Sequence, residues 1–256
     1  MHSIGGDGPM VGIEELKPNG WRARIGVIVP PSNTTNETEF NRLKPDGVSY
    51  HFTRSPMHAD PAADNYVTLL NDVDAAVSEL ATCGVDLMAY GCTAGSMACP
   101  ADLLIGKMEE IGKVGSISTA GAILKALDAL GASKISMATP YTDATNEHEK
   151  EFLAEHSVEV LAMAGLSLNS SPEGIKKMSR VPPAEIYAHA KSVDRPDAQA
   201  ILICCTDFGS LDVVDALEKD LGKPVITSNI STFWASLRAA GIEDRITGYG
   251  TLLAEH

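Results

Sequence analysis

Arg24-Ile25-Gly26-Val27-Ile28-Val29 is a short β-branched run closed by Pro30 and Pro31. Apolar on both sides and stopped by residues that cannot extend a ladder, it reads as a buried parallel strand that ends in a loop. Working outward, the same design recurs. Residues 67–83 have helical apolar spacing and lead to a strand at 85–89 and a loop at 90–96. Helices follow at 101–111 and 119–130, then strand 134–138, helix 145–156, strand 158–162 and helix 183–192. Strand 200–204, helix 211–221, strand 225–227 and helix 232–240 close the chain. Strands alternating with helices predict an α/β protein with doubly wound, mainly parallel sheet.

The chain also repeats itself. Ile111-Gly112-Lys113-Val114 lines up with Leu221-Gly222-Lys223-Pro224, an offset of 110. In each copy Gly-Lys leads to a short strand, then Ser118 or Ser228, then a helix, then Gly131 or Gly241. The same offset places Pro30 on Pro140 and Asn36-Glu37 on Asn146-Glu147, while a slip of three aligns Cys92-Thr93 with Cys205-Thr206. Two pseudo-symmetric halves are therefore expected: residues 21–128 with 230–256, and residues 129–229, after a mobile Gly- and Pro-rich leader over 1–20. Ligands of doubly wound units sit beyond the carboxyl ends of the strands, so two halves related by a pseudo-twofold axis would share one cleft. The two Cys-Thr loops would face each other across it.

With 256 residues, 44% of them hydrophobic and 21% charged, the chain can bury a full core without disulfides or metal. Its net charge of −14 repels a phosphate backbone or an anionic membrane, so neither nucleic acid nor membrane is an expected partner. A small carboxylate remains an allowed ligand, because N–H groups and hydroxyls can bind it locally. No apolar run reaches membrane-spanning length and no signal peptide is legible, which favours the cytoplasm. A homo-oligomer is allowed but not written in the sequence.

Five cysteines, Cys83, Cys92, Cys99, Cys204 and Cys205, include no C-x-x-C and have no histidine pair at ligand spacing, so neither a metal site nor a disulfide framework is expected. Cys83, within a helix, and Cys204, within a strand, read as buried small hydrophobes. Cys92 and Cys205 each follow a strand in equivalent loops and are the candidate catalytic pair; Cys99 lies in a loop without a partner in the other half. A thiolate is both nucleophile and base. Two of them on opposite sides of one ligand atom allow racemisation. Alternatively, one adds to an activated C=C bond while the other handles the proton, which allows cis-trans isomerisation. His51, His58, His148, His156 and His189 read as loop or helix-surface residues, and no nucleotide-binding glycine pattern is present.

Ile25 to Thr35, Gly91-Cys92-Thr93, Thr139-Pro140-Tyr141-Thr142-Asp143, Cys205-Thr206 and Gly248-Tyr249-Gly250, in that order, resemble the maleate cis-trans isomerase and arylmalonate decarboxylase group of the aspartate/glutamate racemase superfamily. The resemblance runs from about Arg24 to Leu252. It implies a cofactor-independent enzyme of two Rossmann-like halves with the site between them. It places the nucleophile at Cys92 and the proton donor and acceptor at Cys205, with Asn33 and Tyr141 binding substrate carboxylates and Thr93 and Thr206 adding donors. A further family asparagine falls on Asn169 or, by alignment, on Ser171. From the residues alone, Asn33 also suits a turn or helix cap and Tyr141 a half-buried loop aromatic.

The resemblance implies glycine in place of Cys92, and serine in place of Ala94, in the decarboxylases. The expected activity is accordingly isomerisation of maleate or a close cis-dicarboxylate. A two-cysteine racemase or epimerase is the alternative and a decarboxylase stands behind it. A non-catalytic binding protein would show both thiols slow to alkylate.

Overall fold

The run around Gly26 forms β1 (Ala23–Val29), in which every residue but Arg24 is buried. The computed structural model describes residues 16–58 and 60–256; residues 1–15 of the expected leader lie outside the described residues. After β1 come α1 (Asn36–Leu43), β2 (Val48–Arg54), α2 (Val67–Ala81), β3 (Leu87–Tyr90), α3 (Thr93–Ala98), α4 (Ala101–Gly112), β4 (Gly115–Ser118) and α5 (Thr119–Ala129). The chain continues through β5 (Lys134–Thr139), α6 (Asp143–Glu155), β6 (Glu159–Gly165), α7 (Pro172–Ile175), α8 (Pro183–Ser192) and β7 (Ala200–Ile203). It ends with α9 (Val214–Leu221), β8 (Val225–Thr227), α10 (Ser228–Ala239) and α11 (Thr251–Glu255).

The strands form two sheets, ordered β2-β1-β3-β4 and β6-β5-β7-β8, with every pairing parallel. The two orders are the same order, so the sequence repeat is a repeat of topology. The repeat also explains the helix starts. Ser118 caps α5 by accepting the Gly121 N–H at 3.2 Å, and Thr227 caps α10 by accepting the Ile230 N–H at 3.0 Å. The structural counterpart of Ser118 is thus Thr227, one residue before the Ser228 that the offset of 110 selects.

Helix α10 follows the last strand of the second sheet but packs on β3, β4 and α5. All of its residues from Ser228 to Leu237 are buried, as expected of a helix enclosed on every side rather than laid on a surface. Phe233 projects into the first half, with its ring 5.4 Å from Phe40 and 5.5 Å from Tyr50, each contact worth about 0.5–1.5 kcal/mol beyond burial. The small hydroxyl residues Ser228, Ser231, Thr232 and Ser236 let the helix sit close to its neighbours. Thr232 donates to Thr119 at 3.0 Å, and Ser236 shares a hydrogen bond with Tyr50 at 3.1 Å.

The structure departs from the sequence expectations in several places. α1 and β2 fill a stretch for which the sequence reading named no element, and β2 carries His51 into a sheet. The expected loop over residues 90–96 is a strand end, Gly91 and Cys92, and the start of α3. α2 stops at Ala81, which leaves Cys83 in the following turn and exposed instead of buried. β7 ends at Ile203, so Cys204 lies just past the strand, buried as expected.

Gly165, the last residue of β6, touches the loop that carries Tyr141. A Cβ there would lie 2.1 Å from the Tyr141 carbonyl oxygen and 2.5 Å from the Asn146 amide, with no flexible group free to give way. Replacing Gly165 by Ala is expected to destabilise the fold by about 3 kcal/mol, measured by urea unfolding, because the backbone itself must move. An undiminished midpoint would show that this contact does not position the Tyr141 loop.

Candidate active site

In each sheet the chain reverses direction between the two central strands, β1 and β3 in the first, β5 and β7 in the second. The loops leaving their carboxyl ends carry Asn33, Cys92, Tyr141 and Cys205. They converge on a cavity of about 80 Å³ between the halves. Asn33, Cys92, Thr93, Tyr141, Asn169, Cys205 and Thr206 all line it; among the described residues Asp207 is its one ionisable carboxyl and no Lys, Arg or His lines it. Ser171 does not line it: its hydroxyl caps α7 by accepting the Gly174 N–H at 3.0 Å. Gly248-Tyr249-Gly250 is likewise absent from the lining, and it leads into α11.

Cys92 is the N-cap of α3, and its sulfur accepts the Gly95 N–H at 3.4 Å. A helix start favours a thiolate, but here burial prevails and pushes the thiol up to about 11 despite that donor. Cys205 is held at φ 104°, a conformation that costs a non-glycine residue energy, and its sulfur accepts the Asp207 N–H at 3.4 Å. Burial raises this thiol as well, opposed by the Tyr141 phenol beside it. The resting site therefore holds two neutral thiols.

Ser228 ties the two cysteine loops together. Its hydroxyl oxygen accepts the Thr93 hydroxyl at 2.9 Å and the Cys205 N–H at 2.9 Å, and its own proton points to the Cys204 sulfur at 3.8 Å. A second bridge runs from the Asn33 amide to the Thr206 hydroxyl at 3.0 Å, and from there to the Gly91 carbonyl at 3.1 Å. Asn33 also accepts the N–H groups of Thr35 and Asn36, so it is a turn residue and a cavity residue at once. Tyr141 is buried rather than half-buried. Asn169 accepts the Thr142 N–H at 2.6 Å and donates to Thr145 at 2.8 Å.

Three residues escaped the sequence reading. Asp207 accepts the Thr34 N–H at 2.8 Å and pins the loop after β1; its second oxygen is buried, so it presents little anionic surface to the cavity. Ser228 carried a signal in the repeat but was read only as a helix start. Glu149, fully buried on α6, matches Glu39 at the same offset of 110, and that correspondence was available in the sequence. Cys99 is buried at the end of α3 and does not reach the cavity lining. Among the described residues no cluster of His, Cys, Asp or Glu is arranged to hold a metal.

The positive φ at Cys205 has a measurable consequence. Glycine tolerates that backbone and alanine does not, so Cys205→Gly is expected to be more stable than Cys205→Ala by about 1 kcal/mol in urea, although it is the smaller residue. The reverse order would show that the loop is not strained.

A family model described as arylmalonate decarboxylase matches residues 25–253. An arylmalonate decarboxylase of Bordetella bronchiseptica is 30% identical over 243 residues, covering 90% of this chain and 96% of the relative. A maleate isomerase of Pseudomonas putida, solved with maleate, superposes with a TM-score of 0.81 at 26% identity, covering 91% of this chain and 97% of the other. A maleate cis-trans isomerase of Nocardia farcinica, a cysteine-to-serine variant with a covalently bound succinylcysteine intermediate, superposes with a TM-score of 0.81 at 25% identity, covering 91% and 99%. Two sheets of one topology, with cysteine loops meeting between them, thus sit in a chain matched over residues 25–253 by the family model and over about nine-tenths of its length by relatives of both activities: it is a member of the maleate isomerase and arylmalonate decarboxylase family.

Proposed function

We propose that this enzyme is a cis-trans isomerase of a small cis-dicarboxylate of the maleate type, with Cys92 as nucleophile and Cys205 as proton donor and acceptor. The observation that carries the reading is the presence of both thiols on one cavity small enough for a short acid and lined, among the described residues, by no basic side chain. The solved relative with a succinylcysteine intermediate supports the same chemistry.

Cys92, neutral at rest, first gives its thiol proton to solvent; the thiolate then adds to one alkene carbon, forming a C–S bond and moving the π electrons to the neighbouring carbon. Cys205 donates its proton there, and the product is a succinyl thioether. Rotation about what is now a single bond brings the carboxylates trans. Cys205 then removes the proton, the C–S bond breaks, and the trans alkene leaves with Cys92 a thiolate, which regains its proton from solvent to restore the neutral pair. No oxidation state changes. Asn33, Thr93, Tyr141, Thr206 and Asn169 are the proposed carboxylate partners, each offering a hydroxyl or amide in a site where hydrogen bonds are strong because water is largely excluded. Between the two residues that the resemblance left open, we assign the role to Asn169, because Ser171 already caps α7.

A decarboxylase reading has the 30% identical relative in its favour. It assigns Cys92 no work, whereas isomerisation requires it. Slow alkylation cannot separate enzyme from binding protein here, since two buried, neutral thiols are slow in either case.

Proton NMR of maleate with the enzyme in deuterium oxide tests the reading. Fumarate is expected, and the activity should fall by about three orders of magnitude or more in Cys92→Ser and in Cys205→Ala. Exchange of a substrate α-proton without fumarate would support a racemase, and carbon dioxide from an arylmalonate with none from maleate would support a decarboxylase. Alkylation of Cys92 in the ligand-free protein is expected to keep rising with pH toward about 11. A plateau near the ordinary thiol value, roughly 8.5, would contradict the burial argument.

A further inference from the structure

Behind the cavity a line of buried polar side chains runs from Thr93 to Glu149. Thr93 donates to Ser228, Ser228 donates to Cys204, and the Cys204 thiol lies close enough to the Glu149 carboxyl that each shifts the other. Thr93 is 1% exposed and the other three 0%. Neither Glu149 oxygen has a well-formed hydrogen bond. Its counterpart Glu39, at the equivalent place in the first half, is fully engaged: it accepts the Leu211 N–H at 3.0 Å and the Asn229 amide at 2.7 Å. Glu39 is a strut between the halves. Glu149 is a carboxyl buried without support.

The groups that feel the Glu149 charge are Cys204 and Cys205 after β7, Tyr141 after β5, and Cys92 at the head of α3, which packs on α6. All four are acids, and among the described residues no cation offsets the carboxylate.

We propose that Glu149 is a positioning residue whose proton sets the direction of the Thr93–Ser228–Cys204 chain and so decides whether Thr93 can donate its hydroxyl to a bound carboxylate. The proposal rests on the carboxylate ligand of the preceding reading but not on the fate of its double bond. With Glu149 ionised, the Cys204 S–H turns to the carboxylate, the Ser228 O–H to Cys204 and the Thr93 O–H to Ser228. Thr93 then shows the cavity only lone pairs, which repel an anion. With Glu149 protonated, its O–H turns to Cys204, the S–H to Ser228, the Ser228 O–H to Thr93 and the Thr93 O–H to the ligand. Ser228 is satisfied both ways, because it has one proton to give and still accepts the Cys205 N–H. One proton enters the carboxyl, the others rotate about their own C–O and C–S bonds, and no bond between heavy atoms forms or breaks.

Burial raises the Glu149 carboxyl to about 8, only partly opposed by Cys204. The sign follows: the form that binds carboxylate is present at neutral pH and lost as pH rises through about 8.

The test is titration calorimetry with maleate and with malonate, from pH 6.5 to 9.5, in buffers of different ionisation enthalpy, on wild type, Glu149→Gln and Ser228→Ala. Wild type is expected to take up about half a proton on binding, most strongly near pH ~8.5, with Kd rising about tenfold across the range, the loss typical of one hydrogen bond to a charged group. Glu149→Gln, whose amide always donates to Cys204, should bind with flat pH dependence and no uptake. Ser228→Ala keeps the carboxyl but cuts the chain, and should also be flat. Wild-type pH dependence persisting in both variants, or flat wild-type binding, would overturn the relay. Turnover of maleate with flat binding would overturn the relay and leave the isomerase reading standing. Proton-linked binding of malonate without binding or turnover of maleate would do the reverse.

Discussion

One hydroxyl joins the two halves at the point where chemistry is placed. Ser228 sits on α10, a helix that belongs by chain order to the second half and by packing to the first. By accepting from Thr93 and from the Cys205 N–H, it fixes the distance between the Cys92 and Cys205 loops and makes each depend on the other. The burial of α10 on all sides, the aromatic contacts of Phe233 and the capping of its first turn by Thr227 are what hold that hydroxyl still. Buried hydrogen bonds of this kind are worth little net when made, but leaving one partner unsatisfied costs about 1–3 kcal/mol. The seam therefore specifies one arrangement of the halves more than it stabilises them.

Among the described residues the cavity this produces has no basic side chain, in a protein of net charge −14. An anionic ligand must be held by hydroxyls and amides, and those are strong partners only because the site is nearly dry. The same dryness keeps both thiols protonated at rest. Binding and activation are thus opposed by one physical term, desolvation. A working enzyme needs groups that change the proton balance once the ligand is in place.

Much of the fold was legible because it rests on local patterns. β1 could be read from its β-branched run and prolines, and the twofold design from the shared glycines and the Pro30–Pro140 and Cys92–Cys205 correspondences. α1 was not, because Asn36 to Leu43 has mostly polar residues; β2 carried a signal that went unused, since Val48, Tyr50 and Phe52 alternate with Ser49, His51 and Thr53 at an edge of its sheet. Cys83 was misread because a helix pattern does not show where the last turn unwinds. At the site, Cys92 and Cys205 stood out as cysteines in equivalent positions after strands, whereas Asn33 and Tyr141 came from the family resemblance. Ser228 and Glu149 did not stand out, since their importance lies in partners 135 residues away for Ser228 and across a helix packing for Glu149. Asn169 and Ser171 could be separated only by the cap that occupies the serine.

The central claim is that carbon becomes bonded to Cys92 while Cys205 handles the proton. The most direct measurement is intact-protein mass spectrometry with peptide mapping, after brief incubation of the protein with maleate and acid quench. The account expects a mass increase of one maleate, located on Cys92 and absent when Cys92 is replaced by Ser. No adduct, or one that maps elsewhere and survives loss of Cys92, would contradict it.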